Sequence, residues 1–294
     1  MPAMGASSGS ESQDLVGKTY VITGATSGIG KVTALELAKR GANLILANRS
    51  LEKTAPVVEA IKAATRSANI EVVQLDLGDL ASVRKCAETL LAKQVPIHGL
   101  INNAGHAGVK GVTKDGFEIQ FGTNHLGHFL LTNLLLERIK ESAPSRIVNV
   151  ASKSHYQAKS IDWAAQRQPT KHATALPEYA VSKLANVLFT KELATRLAGT
   201  GVTAYSLHPG VVATDVWRKV PAPLRWLIKR FMISPERGAE ATLRCATDPA
   251  LASESGKYYD VGGVEKRPSR VAEDADLART LWTKSADWVG LPAA

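Results

Sequence analysis

Two cysteines in 294 residues, Cys86 and Cys245, are too few for a disulfide framework. Neither a Cys-x-x-Cys nor a Cys/His spacing is present, so no metal is expected. Both read as buried thiols of a protein in a reducing cytoplasm. Long hydrophobic runs are missing too. Residues 1–13 are small and polar, without an apolar stretch to serve as signal or anchor, which implies a flexible, untargeted N-terminus and a cytoplasmic protein. Aromatic residues make up only 5% of the chain, and no basic-aromatic stripe of an RNA reader is found. That argues against the nucleic-acid partner suggested by a net charge of +9, because the 36 lysines and arginines are scattered among 27 carboxylates. A basic balance suits equally well an enzyme that holds a polyanionic cofactor. No Pro/Gly/Ser-rich linker and no internal repeat divides the chain, so residues 14–294 read as a single domain.

What is there is an alternation. Strand-like apolar runs fall at Thr19–Thr23, Asn43–Ala47, Ile70–Leu75, Gly99–Ile101, Arg146–Val150 and Val202–Leu207, with a weaker one at Lys257–Val261. Helix-patterned stretches lie between them, among them Gly30–Arg40, Leu51–Ala64, Leu80–Leu91, Leu126–Ile139 and Tyr179–Leu197. Strands apolar nearly throughout are those buried on both faces of a parallel sheet. The pattern predicts an α/β fold: a doubly wound, Rossmann-type parallel sheet of about seven strands with helices on both faces.

The first strand runs into Thr23-Gly24-Ala25-Thr26-Ser27-Gly28-Ile29-Gly30, and a helix follows. Glycines there let the backbone turn tightly and approach a pyrophosphate, and free N–H groups at the helix start meet the anion. Gly24, Thr26, Ser27, Gly28, Ile29 and Gly30 are therefore candidate dinucleotide contacts. Further along come Asn102-Asn103-Ala104-Gly105 after the fourth strand, Asn124 within Phe121–Phe129, Ser152 closing the fifth strand, Tyr179-Ala180-Val181-Ser182-Lys183, and His208-Pro209-Gly210 after the sixth. These motifs, in this order, resemble the short-chain dehydrogenase/reductase family. The stretch Asn124–Phe129, Ser182–Asn186, Leu281-Trp282 and Gly290-Leu291 make it most similar to that family's retinol dehydrogenase group.

Moving a hydride between a nicotinamide ring and a carbonyl carbon requires a proton at the oxygen. Tyr179 is the natural acid/base, but a free phenol with a pKa of about 10 is a poor base near neutrality. Lys183 stands one helical turn on, on the same face, where its charge is expected to lower that pKa. The pair alone is common on any helix; in order with Ser152 and the glycine loop it gains weight. The resemblance implies that Lys183 also bonds the nicotinamide ribose, that Ser152 holds the substrate oxygen, and that Asn124 anchors a water relaying the proton outward. It also implies dinucleotide contacts from Asp76, Leu77, Asn102, Asn103, Ala104, Gly105, Pro209, Gly210 and Thr214, and from the Val212 backbone N–H. Relatives commonly form homodimers or homotetramers through the helix of Tyr179, although retinol dehydrogenase-like members depart from this. His125, His128 and Trp163 read as packing or capping residues.

Enzymes preferring NAD place an acidic residue at the end of the second strand, whereas an arginine there can accommodate a 2′-phosphate. Asn48 holds that position and Arg49 follows, so NADP is the expected cofactor, with NAD as the alternative. The long excursion between Ser152 and Tyr179, with His155 and Tyr156, is expected to wall the substrate mouth. A lid over about 213–234, carrying Trp217, Trp226 and Phe231, would close the other side. The lid is both apolar and basic, which suits a small lipophilic substrate or, as a second reading, weak contact with a membrane surface. The leading function is a nicotinamide-dependent interconversion of a lipophilic alcohol and its ketone or aldehyde, of retinoid, steroid or aromatic type. The alternatives are a redox sensor of the same fold without turnover and a membrane-surface scaffold.

Overall fold

The strands are short runs of β-branched and leucine residues whose side chains alternate between two cores, and this alternation sets the whole architecture. The computed structural model describes residues 12–65, 69–211 and 232–292. Among them, eight strands form one sheet in the order β3-β2-β1-β4-β5-β6-β7-β8. They are β1 (Thr19–Thr23), β2 (Asn43–Asn48), β3 (Ile70–Gln74), β4 (Gly99–Asn102), β5 (Ser145–Val150), β6 (Val202–Leu207), β7 (Tyr258–Asp260) and β8 (Val264–Glu265). The first seven are parallel. The eighth, one more than expected, is a two-residue antiparallel edge turned back on β7.

The helices are α1 (Gly28–Lys39), α2 (Leu51–Thr65), α3 (Leu80–Ala92), α4 (Ile119–Phe121), α5 (Gly127–Glu141), α6 (Leu176–Arg196), α7 (Pro235–Thr247) and α8 (Ala275–Trp288). One layer holds α1, α2 and α7; Leu44, Leu46, Ile22, Ile101 and Tyr205 of the strands point into it, among Leu37, Ile61 and Ala241. The other holds α3, α5, α6 and α8, with Val21, Ile45, Leu100 and Ile147 facing Leu90, Phe129, Leu188 and Leu281. Cys86 and Cys245 are free and buried. Among the described residues no helix is long and apolar enough to cross a membrane. The expected flexible N-terminus lies, for residues 1–11, outside the described residues.

Crossovers carry the chain outward from β1 to β3 and then, from β4, outward to β7, so the connections diverge between β1 and β4. Such a switch point opens a crevice at the carboxyl ends of the strands, the usual ligand position in an open α/β sheet. Helix starts mark the same edge. Side chains of Asp79, Ser234 and Asp274 cap α3, α7 and α8, but Ser27 and Ala175 make no side-chain cap bond to α1 and α6. The first-turn N–H groups of α1 are thus open to a ligand.

Candidate active site

The glycine loop between β1 and α1 fits against the turn after β4 with no space left over. A Cβ on Gly24, whose φ is +72°, would lie 2.7 Å from Ala104 Cα, and one on Gly30 would lie 2.5 Å from Asn103 Nδ2 and from Gly24 O. Asn103 Nδ2 donates to Thr23 O at 2.9 Å and Gly24 O at 3.0 Å, and the N–H groups of Asn103 and Ala104 both donate to Thr23 Oγ1 at 3.0 Å. Asn103 and Ala104 therefore shape the cradle. Asn102, expected as a dinucleotide contact, turns the other way: it is 1% exposed and donates to Thr132 Oγ1 and Asn149 Oδ1, tying β4 to α5 and β5. Gly105 leaves room beside Lys183, whose Nζ would be 3.5 Å from a Cβ there.

Asn48 also differs from expectation. Instead of reaching out at the end of β2, its side chain is buried, and Oδ1 accepts from Ala25 N–H at 2.8 Å. Its Nδ2 is left as a buried donor without a partner. Arg49 is exposed, and neither a hydrogen bond nor an ion pair holds it among the described residues. Asp76 accepts from Gly78 N–H at 2.9 Å, and buried Leu77 packs under Gly127 at the start of α5. An open helix start, a cradle that any Cβ would fill, an orphaned donor and an exposed cation together fit a dinucleotide.

Ser152, Tyr179, Lys183 and Asn124 converge at the carboxyl ends of β4 and β5. Lys183 is 4% exposed; its Nζ donates to Val150 O at 2.8 Å and lies 5.7 Å from the centre of the Tyr179 ring. Burial pushes its pKa down to about 8. Burial likewise raises the half-buried Tyr179 phenol, opposed by a hydrogen bond with Ser152. The lysine charge was expected to lower the phenol; desolvation instead dominates, in the opposite direction. Ser152 caps a 3-10 turn over Lys153–Gln157 by accepting from Ser154 N–H. Asn124 sits in a π-helical turn, Gly122–Leu126, completely buried; its side chain bonds His106 through both N–H and C=O, and Ser182 Oγ.

Two histidines hold this geometry without facing a substrate. His128 Nδ1 contacts Asn124 O at 3.0 Å and its Nε2 contacts Thr23 Oγ1 at 2.9 Å. A carbonyl can only accept, so Nδ1 carries the proton and Nε2 accepts from the threonine; burial keeps this imidazole neutral, with a pKa of about 4. His128 therefore links the glycine loop to the Asn124 turn, more than the packing role expected of it. His155 was expected to line the substrate mouth. It is completely buried: Nδ1 donates to Ser152 O at 2.7 Å and Nε2 accepts from Ser269 N–H at 3.1 Å, so it braces the serine from behind. Tyr156 donates to Arg267 O, and Trp163 meets Trp288 of α8 at 6.2 Å, so the excursion is anchored on the α8 side. His125 bonds Ser285 and joins the rings of Phe121, Phe129 and Phe189, a packing role as expected.

Pro209 is buried, and Gly210, at φ +95°, has Ile233 so close that a Cβ would be 2.3 Å from its Cδ1. Ile233 N–H donates to Val211 O at 3.0 Å, joining the two ends of the segment expected to be a lid. Val212, Thr214, Trp217, Trp226 and Phe231 lie outside the described residues.

A family model for short chain dehydrogenases matches residues 18–224. The chain belongs to the short-chain dehydrogenase family. This short-chain dehydrogenase is 45% identical over 293 residues to Retinol dehydrogenase 13 of Homo sapiens, covering 94% of this chain and 86% of that protein. It is 46% identical over 281 residues to Retinol dehydrogenase 11 of Homo sapiens, covering 95% and 87%. Among solved structures, an uncharacterized protein from Mycobacterium Paratuberculosis superposes with a TM-score of 0.74 at 36% identity, over 95% of this chain and 96% of that one. As a member, the short-chain dehydrogenase is an oxidoreductase acting on CH–OH groups with a nicotinamide dinucleotide.

Its buried lysine gives a pH dependence. Below a pKa of about 8 Lys183 is charged; above it the charge is lost. The kcat/KM for the dinucleotide reports the free enzyme and is expected to fall as pH rises through about 8. A profile flat up to the ordinary lysine range would show that this charge is not used.

Proposed function

We propose that the enzyme interconverts a lipophilic alcohol and its aldehyde or ketone, of retinoid, steroid or aromatic type, with NADP as the preferred dinucleotide. The observation that carries this reading is the convergence of Ser152, Tyr179 and the buried Lys183 beside a glycine cradle. The names of the relatives support a retinoid-like substrate. The dinucleotide, when bound, supplies or accepts the hydride. Ser152 Oγ orients the substrate oxygen, and Tyr179 Oη gives that oxygen its proton during reduction. A phenol kept protonated by burial suits the proton-donor role in the reductive half of the interconversion. Lys183, anchored on Val150 O, keeps N–H groups for the ribose and for the returning proton. Two free buried thiols fit a reducing cytoplasm.

Arg49 supports NADP because it is exposed beside the loop and unpaired among the described residues, free to grip a 2′-phosphate. The test is dinucleotide consumption with all-trans-retinal, a steroid ketone and an aromatic ketone, each with NADPH and NADH. NADPH is expected to be favoured, and Arg49→Ala is expected to lower that preference about 10-fold, the loss of roughly one charge-assisted hydrogen bond. Equal efficiency with both dinucleotides in the unaltered enzyme would refute the NADP assignment, and inertness toward all three substrates would refute the lipophilic one.

A further inference from the structure

Gln120 and Asn124 stand one helical turn apart where α4 passes into the π-helical turn, and both side chains are completely buried. They make the same pair of bonds in parallel. Each side-chain oxygen accepts an N–H from the strip after Asn102–Gly105: Gln120 Oε1 from Gly108 at 3.0 Å, Asn124 Oδ1 from His106 at 3.0 Å. Each amide NH2 then donates to α6: Gln120 Nε2 to Ala175 O at 2.6 Å, Asn124 Nδ2 to Ser182 Oγ at 3.0 Å. Both recipients bond the backbone of Tyr179. Ala175 O accepts Tyr179 N–H at 3.1 Å, and Ser182 Oγ donates to Tyr179 O at 2.8 Å.

A second feature marks the Gln120 rung. Ala175 is a buried non-glycine residue at φ 55°, ψ 13°, starting α6 without a side-chain cap. A left-handed alanine persists only where its surroundings impose it, and strain of this kind collects at functional sites. Its carbonyl accepts from the Gln120 amide beside the Tyr179 N–H. An apolar side chain of similar size would fill this volume without burying polar atoms, so the amide's contribution is directional.

We propose that Gln120 is a positioning residue for Tyr179, forming with Asn124 a two-rung amide ladder that fixes the tyrosine backbone from both sides. This rests on Tyr179 as the acid/base, and Tyr179→Phe, measured in parallel, tests that separately: retained turnover there would remove the catalytic assignment whatever Gln120 does. The probe is all-trans-retinal with NADPH. In Gln120→Met, kcat is expected to fall about 10- to 100-fold, the effect of a displacement of about 1 Å at a reacting group, while the KM for NADPH changes little. The Tyr179 amide is expected to exchange its hydrogen faster in the same variant. Adding Ala175→Gly relieves the left-handed strain, so Tm recovers while kcat stays low. Unchanged kcat in Gln120→Met, or kcat restored together with Tm by Ala175→Gly, would overturn the proposal.

Should Gln120→Met not fold, Gln120→Glu takes its place. A carboxylic acid both accepts from Gly108 and donates to Ala175, whereas a carboxylate only accepts. The kcat of this variant relative to the unaltered enzyme is therefore expected to rise as pH falls. The ratio cancels the titration of Tyr179 and of Glu118, whose carboxylate accepts from the Gln120 N–H in both proteins. A ratio independent of pH would overturn the proposal.

Discussion

Replacing Tyr179 by Phe is expected to lower kcat by about 10²- to 10⁴-fold, the range for loss of a general acid/base. The substitution removes one oxygen and leaves the ring to pack, so folding should be nearly unaffected. Dinucleotide affinity should hold as well, because the cradle is built by Thr23, Gly24, Gly30 and Asn103 rather than by the phenol. Single-turnover reduction of retinal, beside a fluorescence titration with NADPH, separates the two properties. Unaltered turnover would mean that another group protonates the substrate; among the described residues His128 and His155 are poor candidates, being buried with both nitrogens of each engaged. The raised phenol also predicts a directional asymmetry. Alcohol oxidation, which needs the phenolate, should accelerate with pH over a range where reduction does not.

The second large effect is expected from Gly24→Ala. Two separate penalties coincide there: a left-handed φ of +72°, and a Cβ placed 2.7 Å from Ala104 Cα and 2.8 Å from Ala104 Cβ. Since Ala104 is held by Thr23 Oγ1, the loop and its opposing turn must part. Dinucleotide affinity is expected to fall at least about 10-fold and stability by about 1–3 kcal/mol, as for one strained residue with a clash. Gly17 supplies the control. Its φ is +79°, yet an added Cβ there meets nothing within 4 Å. Gly17→Ala should therefore lose about 1 kcal/mol from conformation alone, with binding unchanged. Equal affinity losses in both variants would show that the clash is irrelevant.

The fold was legible where pattern is local. β1 and β6 match the expected runs to the residue, because each is a short run rich in β-branched, aromatic and small residues bounded by turn residues. β8 could not be read: it is two exposed residues with no periodicity, paired only because the chain turns back after β7. The site motifs were legible because their order along the chain is distinctive. Where the side chains aim was not. Asn48 and Asn102 stand beside the dinucleotide cradle in sequence, yet both turn inward to neighbours 23 to 47 residues away. Gln120 gave no signal, since a lone polar residue between Ile119 and Phe121 reads as the wet side of a helix, and its partners are 12 and 55 residues off. The direction of the Tyr179 shift depends on how much water the fold excludes, a property that no spacing encodes.

The two thiols lie in opposite layers: Cys86 on α3, packed with Leu90 and Phe129, and Cys245 on α7, packed with Leu37 and Tyr205. Burial pushes both up to about 12, so neither is a nucleophile while its layer is closed. The chain thus carries a built-in clock for each half of its interior. With an aromatic disulfide reagent, the rate at which each thiol is modified reads the opening of its own layer, and mass mapping tells the two apart. If both react at one rate under mild denaturant, the layers open as a single unit; if Cys245 reacts first, the α1–α2–α7 side opens while the aromatic side stays shut.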